Sequence, residues 1–514
     1  MKLDIVLVLD FGGQYCHLIA RRIRENRVYS EIVPNNITPR EIQILNKKYN
    51  VKGLILSGGP QSVYEEDAPK MNKEILELGI PVLGLCYGHQ LLAHLLGGKV
   101  EPAKSKEFGI TYATITKPVA ILEGLGKTEK VWMSHGDTVF SVPEEVEVLA
   151  YTENTPVAAF RHKTKPIYGL QWHPEVVHTE KGMQMLRNFI FGICECKPGW
   201  SMRDFVEKAV QEIKSTVGEG KAIIALSGGI DSSTATLLAA RALGQNLAAI
   251  FVDHGFMREN EPELIQQTFQ NMGFRFITVN ARKRFLEKLK GVIDPETKRK
   301  IIGEEFIRVF EEEAEKIGAE YLIQGTIYPD RIESGFRQFS EKIKTHHNVA
   351  GLPTKIRFKS IIEPLRDLYK DEVREVAEMI GLPKELVHRQ PFPGPGLAVR
   401  IIGEITEDKI LIVKKADLIV REEIEKSGFQ RNLWQYFAVL TDTKSTGVKG
   451  DCRAYGYTVA IRIVESKEAM TASFARIPYE ILERISTRIT NEIPQVTRVV
   501  YDVTHKPPAT IEWE

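Results

Sequence analysis

Short runs rich in Val, Ile and Leu recur along the first third of the chain, at residues 5–9, 53–56, 81–85, 113–115, 131–133 and 167–172, with helical patterns between several of them. Short apolar runs alternating with helical patterns predict a mostly parallel sheet wrapped by helices. A polar stretch with Pro198 and Gly199, residues 194–200, ends this series. A second series follows at 222–226, 248–252, 275–279 and 321–324, with helical segments such as 233–243 between them. Pro391, Phe392, Pro393, Gly394, Pro395 and Gly396 can continue neither a helix nor a central strand. Beyond them, helical stretches and strands at 457–464 and 498–503 predict a small α+β domain. The expected architecture is therefore α/β: two doubly wound, mostly parallel-sheet domains followed by a smaller α+β C-terminal domain. We divide them at 1–196, 197–390 and 391–514, about as many domains as 514 residues lead one to expect.

Composition removes several function classes. The chain has 69 basic and 68 acidic residues, so overall charge gives no case for nucleic acid or an anionic membrane as the main partner. Asp4 and Asp10 interrupt the apolar N-terminal residues 1–10, which predicts a buried strand rather than a signal peptide, and no run is long enough to span a bilayer. Cys16, Cys86, Cys194, Cys196 and Cys452 are odd in number and scattered, which predicts a reducing, cytoplasmic setting.

Candidate chemistry begins at Gly84-Leu85-Cys86-Tyr87-Gly88, where a strand delivers Cys86 to the mouth of a helix expected at 90–96. Oriented N–H groups and the positive end of the helix dipole favour a thiolate there. An isolated cysteine is usually a small buried hydrophobe, and only context makes this one a nucleophile. Some ninety residues on, Gln171-Trp172-His173-Pro174-Glu175 follows another strand. His173 is placed to take the thiol proton and Glu175 to orient the ring. After strand 53–56, the Ser57-Gly58-Gly59-Pro60 loop offers the Gly59 N–H as an oxyanion donor beside that of Tyr87. In these motifs residues 1 to about 190 resemble the class I, triad-type glutamine amidotransferases. The resemblance implies that Cys86 attacks the carboxamide of glutamine, releases ammonia and leaves a thioester that water cleaves to glutamate.

The second centre is Ser227-Gly228-Gly229-Ile230-Asp231-Ser232-Ser233, between a strand and an Ala/Leu-rich helix. Glycines let backbone N–H groups approach an anion, and the three serines add hydroxyl donors. Asp231 is a candidate either to hold the Mg²⁺ accompanying ATP or to position those donors. No Gly-Lys-Ser/Thr follows, which disfavours γ-phosphoryl transfer of the Walker type. The string resembles the ATP pyrophosphatase loop, implying transfer of AMP to a carbonyl oxygen with release of pyrophosphate. Val252-Asp253-His254-Gly255 ends the next strand, and Asp253 is expected either to reach the nucleotide or to cap a helix.

Neither motif identifies the carbonyl that is aminated. NAD synthetases and tRNA-thiolating enzymes use the same loop, and a nucleotide-binding regulator without turnover is a third reading. Further strings recur in order: Asp10-Phe11-Gly12-Gly13-Gln14-Tyr15, Gln324-Gly325-Thr326-Ile327-Tyr328-Pro329-Asp330, Lys344-Thr345-His346-His347-Asn348, residues 391–396, and Lys506-Pro507-Pro508-Ala509-Thr510-Ile511-Glu512-Trp513-Glu514. With them the whole chain resembles the glutamine-hydrolysing GMP synthase family. The resemblance implies glutamine, Mg-ATP and xanthosine monophosphate (XMP) as the small-molecule partners, with no tightly bound organic cofactor. It assigns XMP binding to Arg299, Gln435, Lys506, Ile511 and Glu512, a lid to Lys344, His346 and His347, and a homodimer contact to the C-terminal domain. The chain departs from the family pattern at Gly13, at Ala350 and around 441–451.

Overall fold

The computed structural model describes residues 2–331, 358–466 and 471–514. The chain divides into two compact units, Met1–Phe205 and Val206–Glu514. In the first unit nine strands form one sheet: β1 (Asp4–Asp10), β2 (Tyr29–Pro34), β3 (Asn50–Leu56), β4 (Val82–Leu85), β5 (Lys99–Ile115), β6 (Thr128–Ser141), β7 (Val146–Tyr151), β8 (Ala159–His162) and β9 (Ile167–Leu170). Their order is β2-β1-β3-β4-β9-β8-β7-β5-β6. From β2 to β9 every pairing is parallel, and from β9 to β6 every pairing is antiparallel. The burial patterns explain the switch. β4 is buried at all four positions, as a strand covered on both faces must be, whereas β6 alternates buried and half-exposed residues along most of its length. The short runs at 113–115 and 131–133 are thus pieces of two long strands whose solvent-facing positions hid their extent.

Helix Pro39–Lys48 shows how local chemistry fixes the elements: Thr38 accepts the Glu41 N–H, Glu41 bonds back to Thr38, and proline occupies the first turn.

The second unit holds a five-stranded parallel sheet of β10 (Ala222–Ala225), β11 (Leu247–Asp253), β12 (Arg275–Asn280), β13 (Tyr321–Ile323) and β14 (Ser360–Ile362), in the order β12-β11-β10-β13-β14. A second sheet is built on the antiparallel hairpin of β15 (Gln435–Lys449) and β16 (Cys452–Glu465), with β17 (Ser473–Phe474) antiparallel and β18 (Val496–Tyr501) parallel to β16. The pairing shifts register between Leu440 and Lys444. One hydrophobic core runs through the unit, joining Ile223 and Ile250 of the parallel sheet to Ile461 of β16, through Ile412 and Val420 on helix Glu407–Lys426. Among the described residues no helix is long and apolar enough to cross a membrane, and all five cysteines are free.

Candidate functional site

In the first unit β4 ends on Gly84 and Leu85, and helix Tyr87–Leu95 starts one residue after Cys86. Cys86 bridges them at φ +52°, a left-handed value that costs a non-glycine residue about 1–3 kcal/mol and holds the side chain out of the turn. The flanking glycines are required by space. A Cβ on Gly84 would lie 2.3 Å from the Gly88 carbonyl oxygen, and one on Gly88 would lie 2.5 Å from that of Leu56.

His173 and Glu175 converge on this turn. His173 Nδ1–H donates to Glu175 Oε1 at 2.7 Å, and the ring stands edge-on to Tyr15, centroids 5.0 Å apart. The Thr179 hydroxyl donates to the His173 carbonyl at 2.7 Å, and the His173 N–H donates to the Trp132 carbonyl at 3.0 Å. With Nδ1 committed to the carboxylate, Nε2 is left for the thiol. Burial alone would push this imidazole down, but Glu175 and Cys86 outweigh it and raise its pKa well above the usual histidine value. Cys86, His173 and Glu175 are all at most 5% exposed, so their interactions are little screened by water.

A cavity of about 750 Å³ opens on Cys86 and His173, lined by Gly59, Gln90, His135 and Asp137 among others. Gly58 lies at the meeting point: a Cβ there would sit 3.2 Å from His173 Cε1 and 3.7 Å from Cys86 Cβ. Gly59 packs as closely, 2.7 Å from the Phe11 carbonyl oxygen and 3.2 Å from Tyr87 Cγ by the same measure. The residues assigned to the two oxyanion donors therefore lie side by side. Gly13 is explained too, because a Cβ there would meet the Gly58 oxygen at 2.3 Å. No local pattern pointed to His135, which also lines the cavity: it spans Glu107 Oε2 at 3.2 Å and the Asp137 carbonyl at 2.8 Å, and Thr152 and Thr155 complete the carboxylate's shell.

In the second unit β10 runs into residues 227–229, and helix Ile230–Leu243 begins at once. Gly228 has φ +76° and no room for a side chain beside Ile265. Ser232 Oγ accepts the Ser227 N–H at 3.2 Å, meets Ser227 Oγ at 2.9 Å and donates to the Gly229 carbonyl at 3.1 Å, so the loop is pre-folded around its own hydroxyls. A cavity of about 280 Å³ is lined by Ser227, Gly229, Asp231, Lys370, Arg374 and the 391–394 segment, with others. Lys370 Nζ pairs with Asp231 Oδ2 at 2.5 Å, whereas Asp231 Oδ1 is buried without a hydrogen-bond partner among the described residues. That free carboxylate oxygen fits one protein ligand for a divalent ion carried by ATP; no group of three or more potential metal-ligating side chains occurs among the described residues.

Two expected nucleotide contacts are not brought to this cavity. Ser233 lies one helical step beyond Ser232, about 100° round the axis, and is fully buried with its hydroxyl sealed. Asp253 accepts the Gly255 N–H at 2.9 Å and a fork from Arg282 at 2.7 and 2.8 Å, which uses both carboxylate oxygens. The lid residues Lys344, His346 and His347, and Ala350, lie outside the described residues.

The C-terminal string is docked rather than frayed. Ile511 is buried with Phe437, Val439 and Val464, and Lys506 pairs backbone to backbone with Ala472. Glu512 is gripped by both arms of the fully buried Arg400, at 2.9 and 3.0 Å. Gln435 Nε2 donates to Glu512 Oε1 at 3.3 Å and to the Pro391 carbonyl at 2.9 Å. Gln435 and Glu512 therefore share one network beside the segment that lines the phosphate-loop cavity, while Arg299 is held at Glu514. Sequence reasoning missed Arg400 and Lys370. A lone arginine within the apolar 397–402 run was the available signal for the first, since a charge placed there needs a partner. Lys370 opens an ordinary amphipathic helix and carries no such mark.

A thiol on a strained turn in one unit, and a hydroxyl-lined phosphate loop in the other, define an amidotransferase coupled to an ATP-using partner. Three family models match accordingly: glutamine amidotransferase class-I over residues 7–193, PP-loop domain over 202–383, and GMP synthase C terminal domain over 422–513. GMP synthase [glutamine-hydrolyzing] from Caldicellulosiruptor saccharolyticus is 55% identical, and that from Clostridium tetani 53% identical, each with 100% of both chains covered. The chain belongs to the family of glutamine-hydrolysing GMP synthases.

Proposed function

We propose that this chain converts XMP to GMP, hydrolysing glutamine at Cys86 and using the liberated ammonia at a carbonyl activated by ATP. Cys86, deprotonated by His173 with Glu175 orienting the ring, attacks the carboxamide, and the Gly59 and Tyr87 N–H groups receive the developing oxyanion. His173 then returns the proton to departing ammonia, and water cleaves the thioester. At the second centre the 227–233 loop holds the phosphates of ATP, with Asp231 and Lys370 at its mouth. Mg²⁺, with Asp231 as a protein ligand, would neutralise charge on the phosphates. The XMP oxygen attacks the α-phosphorus, pyrophosphate leaves, and ammonia displaces AMP from the adenylated purine. Arg299, Gln435, Lys506, Ile511 and Glu512 bind XMP in this reading. Residues 1–196, 197–390 and 391–514 serve as the glutaminase, ATP-using, and XMP-binding and dimerisation parts of a cytoplasmic homodimer.

The observation that carries the reading is the His173–Glu175 contact of 2.7 Å directed at a strained Cys86, in a chain whose other unit holds a complete phosphate loop. The test is an assay of XMP consumption with Mg-ATP and either glutamine or an ammonium salt. GMP, AMP and pyrophosphate are expected in equal amounts; ADP and phosphate would overturn the adenylation step.

A further inference from the structure

The end of β11 carries a side chain whose role the reaction leaves unassigned. Asp253 turns away to Gly255 and Arg282, and it is the next residue, His254, that lines the cavity of the phosphate loop. The backbone N–H of Phe256 donates to His254 Nδ1 at 3.0 Å. A nitrogen that accepts a hydrogen bond holds a lone pair there, so the ring proton sits on Nε2. The ring is fixed in place as well: it stacks on Phe256 with centroids 5.5 Å apart and an interplanar angle of 26°, and it leans on Phe285 at 5.8 Å.

Burial, opposed by Asp253 and reinforced by Lys414, pushes the imidazole pKa down to about 4, which agrees with the tautomer fixed by the backbone. Among the described residues no acceptor is found for Nε2, and Nε2 is not one of the unit's sealed polar atoms. The site thus presents an oriented, uncharged N–H donor at the wall of a cavity that also holds the Lys370 ammonium. Convergent donors of this kind suit an anion with several oxygens.

Resting on the ATP-using role assigned above, we propose that His254 is a binding residue for ATP, donating from Nε2 to an oxygen of the triphosphate. Because Nδ1 is occupied and Nε2 already carries its proton, His254 positions and does not abstract a proton. Arg and Lys side chains neutralise the phosphate chain wherever it lies; a fixed neutral donor instead selects one orientation of it.

The experiment uses the full chain in the ammonium-driven reaction with XMP and Mg-ATP. Wild-type release of AMP and pyrophosphate is established first, so that failure of the functional reading is seen separately. His254→Phe keeps the ring packing and loses the donor, and is expected to raise KM for ATP about tenfold with KM for XMP unchanged. His254→Gln restores an N–H near the Nε2 position and is expected to return KM to within about threefold of wild type. Direct titration with α,β-methylene ATP, read beside the thermal midpoint of each variant, separates lost binding from lost folding. Wild-type affinity in His254→Phe overturns the proposal. So does a His254→Gln variant that is folded and as impaired as His254→Phe.

Discussion

The two centres of this chain are assembled in opposite ways. Around Cys86 the side chains proposed to react are completed by one another: His173 meets Glu175 at 2.7 Å, the thiol lies 3.5 Å from the Ser134 carbonyl, and Cys86, His173 and Glu175 are all buried. At the 227–233 loop the hydroxyls of Ser227 and Ser232 satisfy each other at the surface, and Asp231 keeps one carboxylate oxygen without a partner. The difference follows from the chemistry. A covalent catalyst must hold nucleophile and base in register before substrate arrives, because misalignment is lost rate. A phosphate cradle has no covalent step to align, so its hydroxyls hold one another until a ligand arrives, and the unpaired Asp231 oxygen is left for a cation.

Removing one centre should leave the other working. Cys86→Ala should lower glutamine-supported GMP formation by at least about 10³-fold while ammonium-supported formation stays near wild type. Loss of both activities in a folded variant would show that the centres are not separable. Asp231→Asn touches the shared step, so glutamine- and ammonium-supported rates should fall together, by about 10²-fold. A variant that lost only the glutamine-supported rate would misplace Asp231.

The same contrast explains what the sequence disclosed. Cys86 and the 227–233 loop are contiguous strings whose glycines are dictated by a turn, so short-range sterics wrote them legibly into the chain. His173 and Glu175 were readable because a strand end presents both within three residues. Lys370 and Arg400 were not, for Lys370 reaches Asp231 across 139 positions of sequence and Arg400 reaches Glu512 across 112. Pairings of that range belong to tertiary structure, and local pattern carries little of them. The antiparallel half of the first sheet was hidden for a related reason: where one face is wet, polar residues break a strand such as β6 into apolar fragments. Asp253 shows the converse case: its place at a strand end left a ligand and a structural role equally open, and the contacts it makes in the fold are with Gly255 and Arg282.

Preassembly of the first centre has a stability signature. Gly88→Ala would force a methyl into the Leu56 backbone, 2.5 Å from its carbonyl oxygen, and should destabilise the first unit by about 1–3 kcal/mol, read as a lowered denaturation midpoint. Glutamine-supported activity should fall with it, because the turn that presents Cys86 must shift. A smaller effect comes from His173, whose pKa is raised although burial opposes the charge, through Glu175 and Cys86. A raised folded pKa means that the imidazolium adds stability fully below the unfolded value, about 6.5, and loses it as pH rises through the folded value. Urea midpoints of the full chain should therefore exceed those of His173→Gln most at pH 6, with the gap narrowing toward alkaline pH. A gap that widened with pH would mean that the imidazole is held neutral, and the preassembled pair would lose its electrostatic basis.

The smallest effect tests the hydrogen bonds that hold the loop at the second centre. Ser232 Oγ does two things there: it folds the loop through the Ser227 N–H and the Gly229 carbonyl, and it sits beside the Ser227 hydroxyl. If the loop is pre-folded by these bonds, Ser232→Ala removes about 1 kcal/mol of order that ATP must then supply, a change of about fivefold in KM for ATP with kcat little altered. If Ser232 instead contacts the phosphates mainly in the transition state, kcat falls and KM stays. The split between the two constants, measured with ammonium so that Cys86 plays no part, decides whether the loop's own hydrogen bonds prepare the cradle or wait for the reaction, as the donors at Cys86 do not need to.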